Sequence, residues 1–137
     1  MEHILCKHIL EHLESHSILT SLQHGFRRAH SCESQLLLTI DDLMRAHNDK
    51  AQVDIGILDF SRAFDTVPHQ RLLGKLRHYG ITGNTHSWIE SFLTNRTMRI
   101  AIDGVLSAEA RVTSGVPQVT VLGPLLFFIF ITNSFVQ

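Results

Sequence analysis

Apolar residues recur along the chain at spacings that predict five helices. Residues 2–15 and 33–47 place apolar side chains on one face every three or four positions, which is the pattern of an amphipathic helix. A third helix is predicted between Pro68, a favoured first-turn residue, and Gly80, a favoured stop. The stretch NTHSWIESFLTN predicts a fourth helix, and the apolar run after the loop that begins at Ser114 predicts a fifth.

Two other segments have the pattern of β-strands. Residues 52–60, QVDIGILDF, place apolar side chains on both faces and bring Asp59 to the end of the segment, which predicts a strand covered on both sides. Residues 96–112 have two strand-like halves joined at Asp103–Gly104, a strong hairpin signal. The sequence therefore predicts an α+β fold in which helices pack on a small antiparallel sheet.

Composition indicates one globular domain with a hydrophobic core. The 137 residues are 44% apolar and 18% charged, and 12 basic against 13 acidic residues give a net charge of −1. A nucleic-acid-binding protein is usually basic, so contacts with phosphates would need local patches or metal ions. No secretory leader is expected, and the longest apolar run is shorter than the roughly 20 residues of a membrane span. We expect an intracellular protein of the nucleus or cytoplasm.

The chemistry of the predicted strand depends on Asp59. A carboxylate at the end of a buried strand is costly unless a cation or hydrogen-bond donors compensate it. Taken alone, such an aspartate is more often a cap or an ion-pair partner than a metal ligand. An aromatic residue such as Phe64, five positions later, is by itself most simply a core residue. The local pattern alone leaves both alternatives open.

Three segments in order resemble the reverse transcriptases of non-LTR retrotransposons of the LINE type, jockey-like elements among them. LDFSRAFDTVPHQRLLGKLRHYGI is similar to their catalytic segment A, and SGVPQVTVLGPLLFFIFI to their segment B. QHGFRRAHSCESQLL resembles the fingers-side segment that precedes them. The resemblance implies one partial reverse transcriptase domain over residues 1–137, a truncated polymerase core. Residues 1–50 would form fingers-side helices, and residues 51–137 the palm with segments A and B.

The resemblance also implies an activity and a metal. Such enzymes transfer deoxynucleotides to a DNA primer on an RNA template with two Mg²⁺ ions. Asp59 corresponds to the segment A metal ligand and catalytic carboxylate, and the backbone carbonyl of Phe60 would supply a second oxygen to metal and substrate. Carboxylate and carbonyl oxygens are ligands that Mg²⁺ accepts, with water and substrate phosphates completing its shell.

Four further residues correspond to the family's nucleotide-binding positions. Phe64 matches the aromatic that packs under the incoming sugar and excludes a 2′-hydroxyl. Pro117 and Gln118 match the loop that touches the incoming nucleotide and template base, and Gly115 gives that loop its backbone freedom. Asp65 does not correspond to a metal ligand, and we expect it to cap or orient the turn before the third helix.

Two departures from the family pattern bear on activity. The aromatic-Ala-Asp-Asp hairpin of segment C does not occur before Gln137, and Val119 stands where the family has glycine. Without the second carboxylate pair a two-ion site is incomplete, so we expect the chain to be inactive alone. An unpaired edge of the strand ending at Asp59 would favour self-association. The alternative function is that of a non-catalytic nucleic-acid-binding or protein-binding remnant of a transposable element.

Overall fold

Five α-helices form at the positions that the apolar pattern predicts. This computed structural model describes residues 1–27 and 29–132. Within them the helices are α1 (Glu2–Ser15), α2 (Cys32–Asn48), α3 (His69–His78), α4 (Gly83–Leu93) and α5 (Leu122–Ile131). Gly80 follows α3 with φ +81°, a left-handed conformation that ends helices and favours glycine. The predicted boundaries of α1 to α4 are confirmed to within about two residues, and α5 forms within the predicted apolar run.

The chain divides into two compact units. Met1–Ile18 and Arg62–Gln137 form the first unit, and Leu19–Ser61 form the second. The first unit contains α1, α3, α4, α5 and all of the β-structure, whereas the second contains α2. None of the helices in the described part of the chain has the length and apolar character needed to cross a membrane.

The β-structure of the first unit is a single long hairpin with short ladders. Its strands are β1 (Thr97–Met98), β2 (Ala101–Ile102), β3 (Val105–Leu106) and β4 (Ala110–Arg111). β1 pairs antiparallel with β4, and β2 pairs antiparallel with β3. Asp103 and Gly104 connect β2 to β3 with φ values of +48° and +80°. Positive φ at both positions is the signature of the tight turn that Asp-Gly favours, so the predicted hairpin is confirmed.

The core of the first unit is made by helices packed on helices. α3 packs on α4 and α5, and α1 packs on α5. The buried side chains include Leu13 of α1, Leu72 and Leu76 of α3, and Ile89 of α4. Burying each such side chain contributes about 1.5–3 kcal/mol relative to leaving it in water. The α+β prediction is thus confirmed as helices with a small antiparallel β-region, but the β-residues of the hairpin are exposed.

Side chains from the other helices cap both ends of α5. At its start, the Glu2 carboxylate of α1 accepts hydrogen bonds from the backbone N–H groups of Val121 (3.0 Å) and Leu122 (3.1 Å). At its end, the Lys75 ammonium of α3 donates to the carbonyl oxygens of Phe130 and Thr132. A carboxylate at the N-terminus and an ammonium at the C-terminus both complement the helix dipole. Desolvation by burial lowers the pKa of Lys75, which offsets part of this gain.

The second unit has little apolar burial. α2 begins with a reciprocal cap, in which the hydroxyl of Ser31 accepts from the N–H of Ser34 (3.1 Å) and the hydroxyl of Ser34 accepts from the N–H of Ser31 (2.9 Å). This capping box stabilises the first turn. No residue of α2 is buried, however, so its leucine-rich stretch, residues 36–38, is exposed.

The predicted strand over residues 52–60 is wrong. Residues 51–60 have no regular secondary structure, and all ten are exposed. Ile57 and Leu58 are 90% and 86% exposed. A strand exists only when its backbone pairs with a neighbouring strand, and no described residue pairs with this segment. The alternating pattern therefore reflects a tendency to pair that no other part of residues 1–27 and 29–132 satisfies.

Candidate nucleotide-binding site

Two parts of the first unit that are distant in sequence meet through backbone hydrogen bonds. One is the turn of residues 64–68, and the other is the loop of residues 114–118. The N–H of Val116 donates to the carbonyl of Phe64 (2.8 Å), and the N–H of Gly115 donates to the carbonyl of Val67 (2.8 Å). Ser114 Oγ donates to the carbonyl of Asp65 (2.9 Å). Parts of the two stretches that resemble segments A and B, residues 64–68 and 114–118, therefore form one turn–loop junction.

Gly115 allows the two backbones to come this close. A Cβ atom at this position would lie 2.9 Å from the Cα and carbonyl oxygen of Asp65 and 2.9 Å from the carbonyl oxygen of Phe64. Its φ of +86° also lies in the left-handed region, which side chains disfavour. This positive φ agrees with the prediction that Gly115 gives the loop its backbone freedom. The close approach of the two backbones is a further constraint that the sequence did not reveal.

The side chains of His69 and Arg96 both form hydrogen bonds with the carbonyl oxygen of Gly115. His69 Nε2 lies 2.8 Å from that oxygen, and because a carbonyl only accepts, the imidazole donates through Nε2. Arg96 Nη2 donates to the same oxygen (3.2 Å), and its Nε donates to the carbonyl of Leu93 (3.1 Å). Desolvation lowers the pKa of Arg96, yet a guanidinium stays charged in proteins. The loop is thus tied to α3 and to the base of the hairpin.

A hydrogen bond between Asp65 and Gln118 joins the side chains of the junction. Gln118 Nε2 donates to Asp65 Oδ1 at 2.8 Å. A carboxylate only accepts, so it fixes the orientation of the carboxamide and leaves Gln118 Oε1 and the second N–H of Nε2 available to a ligand. Asp65 therefore orients the loop on the other side of the junction. The sequence had predicted instead that Asp65 would cap or orient the turn before the third helix.

Phe64 is held by an aromatic contact with α5. Its ring stacks on the ring of Phe127 with centroids 4.5 Å apart and an angle of 26° between planes. An aromatic pair of this kind is worth about 0.5–1.5 kcal/mol beyond burial. The structure thus brings Phe64 together with Gly115, Pro117 and Gln118 around one junction.

Val119 adopts a conformation that valine disfavours. Its φ is +59°, and its side chain is fully exposed. A β-branched residue in the left-handed region is a strained outlier. Glycine, which the resemblance implies at this position, would adopt the same φ without strain, so the expected departure coincides with a local strain in the structure.

The residues proposed for metal binding lie in the other unit. Asp59 and Phe60 belong to residues 19–61, and both are exposed in the segment without regular structure. Asp59 makes no hydrogen bond or ion pair with any residue that the structure describes. The buried strand end, at which a carboxylate would need compensation, is therefore not found, and the expectation of a metal at Asp59 rests on the resemblance alone.

The fit of these residues to Mg²⁺ is partial. A carboxylate from Asp59 and a carbonyl oxygen from Phe60 are hard donors of the type that Mg²⁺ prefers. Residues 1–27 and 29–132 contain no group of three or more His, Cys, Asp or Glu side chains that could hold a metal ion. Asp59 and Phe60 supply oxygen ligands for one side of a metal site, and the described part of the chain does not supply the remaining ligands.

His69 and Arg96 were not predicted as parts of the site. Their contacts with Gly115 span 46 and 19 residues of sequence, so no local pattern identifies them. His69 occupies the first turn of α3, and Arg96 lies just before β1. Their proximity arises only when α3, the hairpin and the loop pack together.

Comparison with known proteins gives a consistent result over the whole chain. The family model for "Reverse transcriptase (RNA-dependent DNA polymerase)" matches residues 3–137. The chain is 30% identical over 133 residues to the RNA-directed DNA polymerase from mobile element jockey of Drosophila melanogaster, covering 97% of the chain and 14% of that protein. It is 30% identical over 129 residues to the probable RNA-directed DNA polymerase from transposon X-element of the same species, covering 94% of the chain and 14% of that protein.

A jockey polymerase of Drosophila funebris is 32% identical over 130 residues, covering 95% of the chain and 14% of the relative. The chain thus spans about 14% of the length of these curated relatives. No solved structure gives a significant match.

Replacing Gly115 with alanine tests the close approach at the junction. We expect Gly115→Ala to lower the free energy of unfolding by at least about 2 kcal/mol, because the new Cβ meets backbone atoms in addition to the cost of positive φ. Gly104→Ala is the matched control, since Gly104 has φ +80° but no neighbouring atom within 4 Å of the position that a Cβ would take. Urea denaturation measures both variants. Equal losses of stability in the two would contradict a close approach at Gly115.

Replacing Val119 with glycine tests the strain at this position. We expect Val119→Gly to raise the free energy of unfolding by about 1 kcal/mol, because glycine adopts φ +59° without a steric penalty. Val105→Gly is the control, since Val105 is exposed in β3 and has no positive φ; it should be neutral or destabilising. A loss of stability in Val119→Gly, measured by urea denaturation, would show that the valine is not strained.

Proposed function

We propose that this chain, which belongs to the reverse transcriptase (RNA-dependent DNA polymerase) family, carries part of the nucleotide-binding site of an RNA-directed DNA polymerase. The substrates would be deoxynucleoside triphosphates, a DNA primer and an RNA template, and the activity would take place in the nucleus or the cytoplasm. The observation that supports this most directly is the junction between residues 64–68 and 114–118, which joins the nucleotide-facing residues of two family segments.

In this proposal each residue of the junction has a role toward the incoming nucleotide. The ring of Phe64, fixed by its stacking on Phe127, lies against the sugar and leaves no room for a 2′-hydroxyl. Pro117 and Gln118 contact the nucleotide and the template base, and Gln118 offers its oxygen and one N–H because the other N–H of Nε2 is bonded to Asp65. Gly115 keeps the loop close enough to the turn for these contacts to form on one surface.

The metal-binding role proposed for Asp59 and Phe60 requires ligands beyond these two residues. Bound Mg²⁺ would neutralise the triphosphate and activate the primer hydroxyl. Asp59 would hold it through its carboxylate and Phe60 through its carbonyl, with carboxylates from outside the described residues. Because one carboxylate does not make a two-ion site, we propose that the 137 residues alone do not polymerise.

Primer extension on an RNA template tests the catalytic proposal. We expect no extension by the 137-residue chain, and extension by a longer polypeptide that also supplies the second pair of carboxylates. In that polypeptide Asp59→Ala should lower the rate by about 10³-fold or more, since a metal ligand supplies several kcal/mol of transition-state stabilisation. Asp54→Ala, an exposed aspartate of the same segment, is the control and should leave the rate unchanged. An active Asp59→Ala polypeptide would exclude the metal role.

A non-catalytic role in self-association is supported by a separate observation. Ile55, Ile57 and Leu58 are 64%, 90% and 86% exposed within a segment that has no strand partner among the described residues. Contiguous exposed apolar residues favour association, and a segment with a strand-like pattern favours pairing with another chain. We propose that residues 53–60 of two copies associate through their apolar side chains and through backbone pairing. This segment takes the place of the strand edge that the sequence predicted as the site of association.

Sedimentation equilibrium tests this association. We expect the chain to form dimers or larger species whose affinity changes little between about 0.1 and about 1 M salt, since screening acts on charges and not on apolar contacts. Ile57→Lys should weaken the association about tenfold or more, because it places a charge in an apolar contact. Ile102→Lys, at an exposed isoleucine of the hairpin, is the control. A monomeric wild-type chain, or equal effects of both substitutions, would contradict the proposal.

A further inference from the structure

The peptide group that joins Gly115 to Val116 is held by hydrogen bonds on both of its sides. Its N–H donates to the carbonyl of Phe64 (2.8 Å). Its carbonyl oxygen accepts from His69 Nε2 (2.8 Å) and from Arg96 Nη2 (3.2 Å). A carbonyl oxygen has two lone pairs, and these two side chains use both of them. The donor and the acceptor of this peptide group are therefore engaged by residues outside the loop.

The orientation of this peptide group depends on those hydrogen bonds. Gly115 has no side chain to restrict the torsion angles on either side of its Cα, so local sterics do not set the direction of its carbonyl. Gly115 and Val116 are both buried. Rotation of the peptide plane would break the three hydrogen bonds together and leave buried polar groups unpaired, which is costly. The hydrogen bonds thus supply the restraint that the glycine lacks.

His69 is brought to the loop by the backbone around it. It is the first residue of α3, and the preceding Pro68 pairs with Ser114 in an isolated antiparallel bridge. The N–H of Gly115 donates to the carbonyl of Val67 (2.8 Å). His69 is only 7% exposed, so water competes little for its hydrogen bond. The start of α3 therefore presents a fixed donor to the loop.

Arg96 reaches the same carbonyl from the base of the hairpin. Its Nε donates to the carbonyl of Leu93 at the end of α4 (3.1 Å), and its own backbone carbonyl accepts from the N–H of Val112 (2.9 Å). A guanidinium can bond two acceptors at once because its donors lie in a rigid plane. Arg96 therefore links the loop to α4 and to the hairpin, whereas His69 links it to α3.

We propose that His69 and Arg96 are positioning residues for nucleotide binding, because they fix the 115–116 peptide group and with it the place of Gln118 two residues later. This inference rests on the nucleotide-binding role proposed above and adds two residues that touch neither the nucleotide nor the metal in that role. Since they do not act on the reacting atoms, their loss weakens binding of the incoming deoxynucleotide and leaves the chemical step unchanged.

Amide hydrogen exchange in the 137-residue chain tests the restraint without any activity. We expect His69→Leu to speed exchange of the Val116 N–H about tenfold relative to that of Leu76, because the loop opens more easily when a hydrogen bond is lost. Leu76 is a fully buried residue of α3, and its exchange reports the stability of the core. His69→Gln should restore slow exchange, because the carboxamide supplies an N–H donor in place of the imidazole.

His86→Leu is the matched control. His86 is 5% exposed, and its Nε2 donates to the carbonyl of Leu73 (3.1 Å), outside the loop. It should not change the ratio of Val116 to Leu76 exchange. Equal acceleration of both amides in His69→Leu, or the same change of ratio in His86→Leu, would overturn the restraint.

Arg96→Lys tests the restraint from the other side and does not depend on the folding of His69→Leu. An ammonium lacks the planar pair of donors that bonds the carbonyls of Leu93 and Gly115. Exchange of Val116 should therefore again increase relative to Leu76, and an unchanged ratio would contradict a role for Arg96.

Primer extension by a longer polypeptide that supplies the second pair of carboxylates tests the role toward the nucleotide. His69→Leu should raise KM for the deoxynucleoside triphosphate about tenfold with kcat unchanged, His69→Gln should restore KM, and His86→Leu should leave it unchanged. A fall in kcat alone, or equal effects of His69→Leu and His86→Leu, would overturn the positioning role. A wild-type polypeptide that extends no primer would overturn the proposed function and the role toward the nucleotide, whereas faster Val116 exchange would still establish the restraint.

Discussion

The backbone of Gly115 lies against the backbone of Phe64 and Asp65 at a distance that leaves no space for a Cβ atom. Because this contact is between main chains, it sets the separation of the turn and the loop independently of the side chains around them. The hydrogen bond from Val116 to Phe64 and that from Gln118 to Asp65 both depend on this separation. A wider junction would break both at once and would leave Phe64 and Gln118 without a common surface.

The junction is stable because the loop leads directly into α5. That helix is apolar on nearly all sides, so burying it against α1 and α3 stabilises the first unit. Its two ends are fixed by Glu2 and Lys75, which come from those same helices. The stacking of Phe64 on Phe127 extends this support to the turn. A loop between a hairpin and a well-anchored helix has few alternative conformations, as a preorganised binding surface requires.

Charge is arranged locally in a chain whose net charge is close to zero. Asp65 accepts a hydrogen bond from Gln118, and Glu109 accepts one from Arg99. Which charges a surface presents to a ligand therefore depends on such local contacts and only weakly on the overall composition.

The sequence by itself determined the features that depend on neighbouring residues. The five helices follow from apolar periodicity and their stops, and the hairpin follows from Asp103–Gly104, because these signals act within a few residues. Only the tertiary structure decided whether residues 52–60 would pair as a strand, since pairing needs a partner from elsewhere. It alone also brought His69 to Gly115 and Asp65 to Gln118. Contacts between residues far apart in sequence depend on the packing of whole elements, and a local pattern carries no record of that packing.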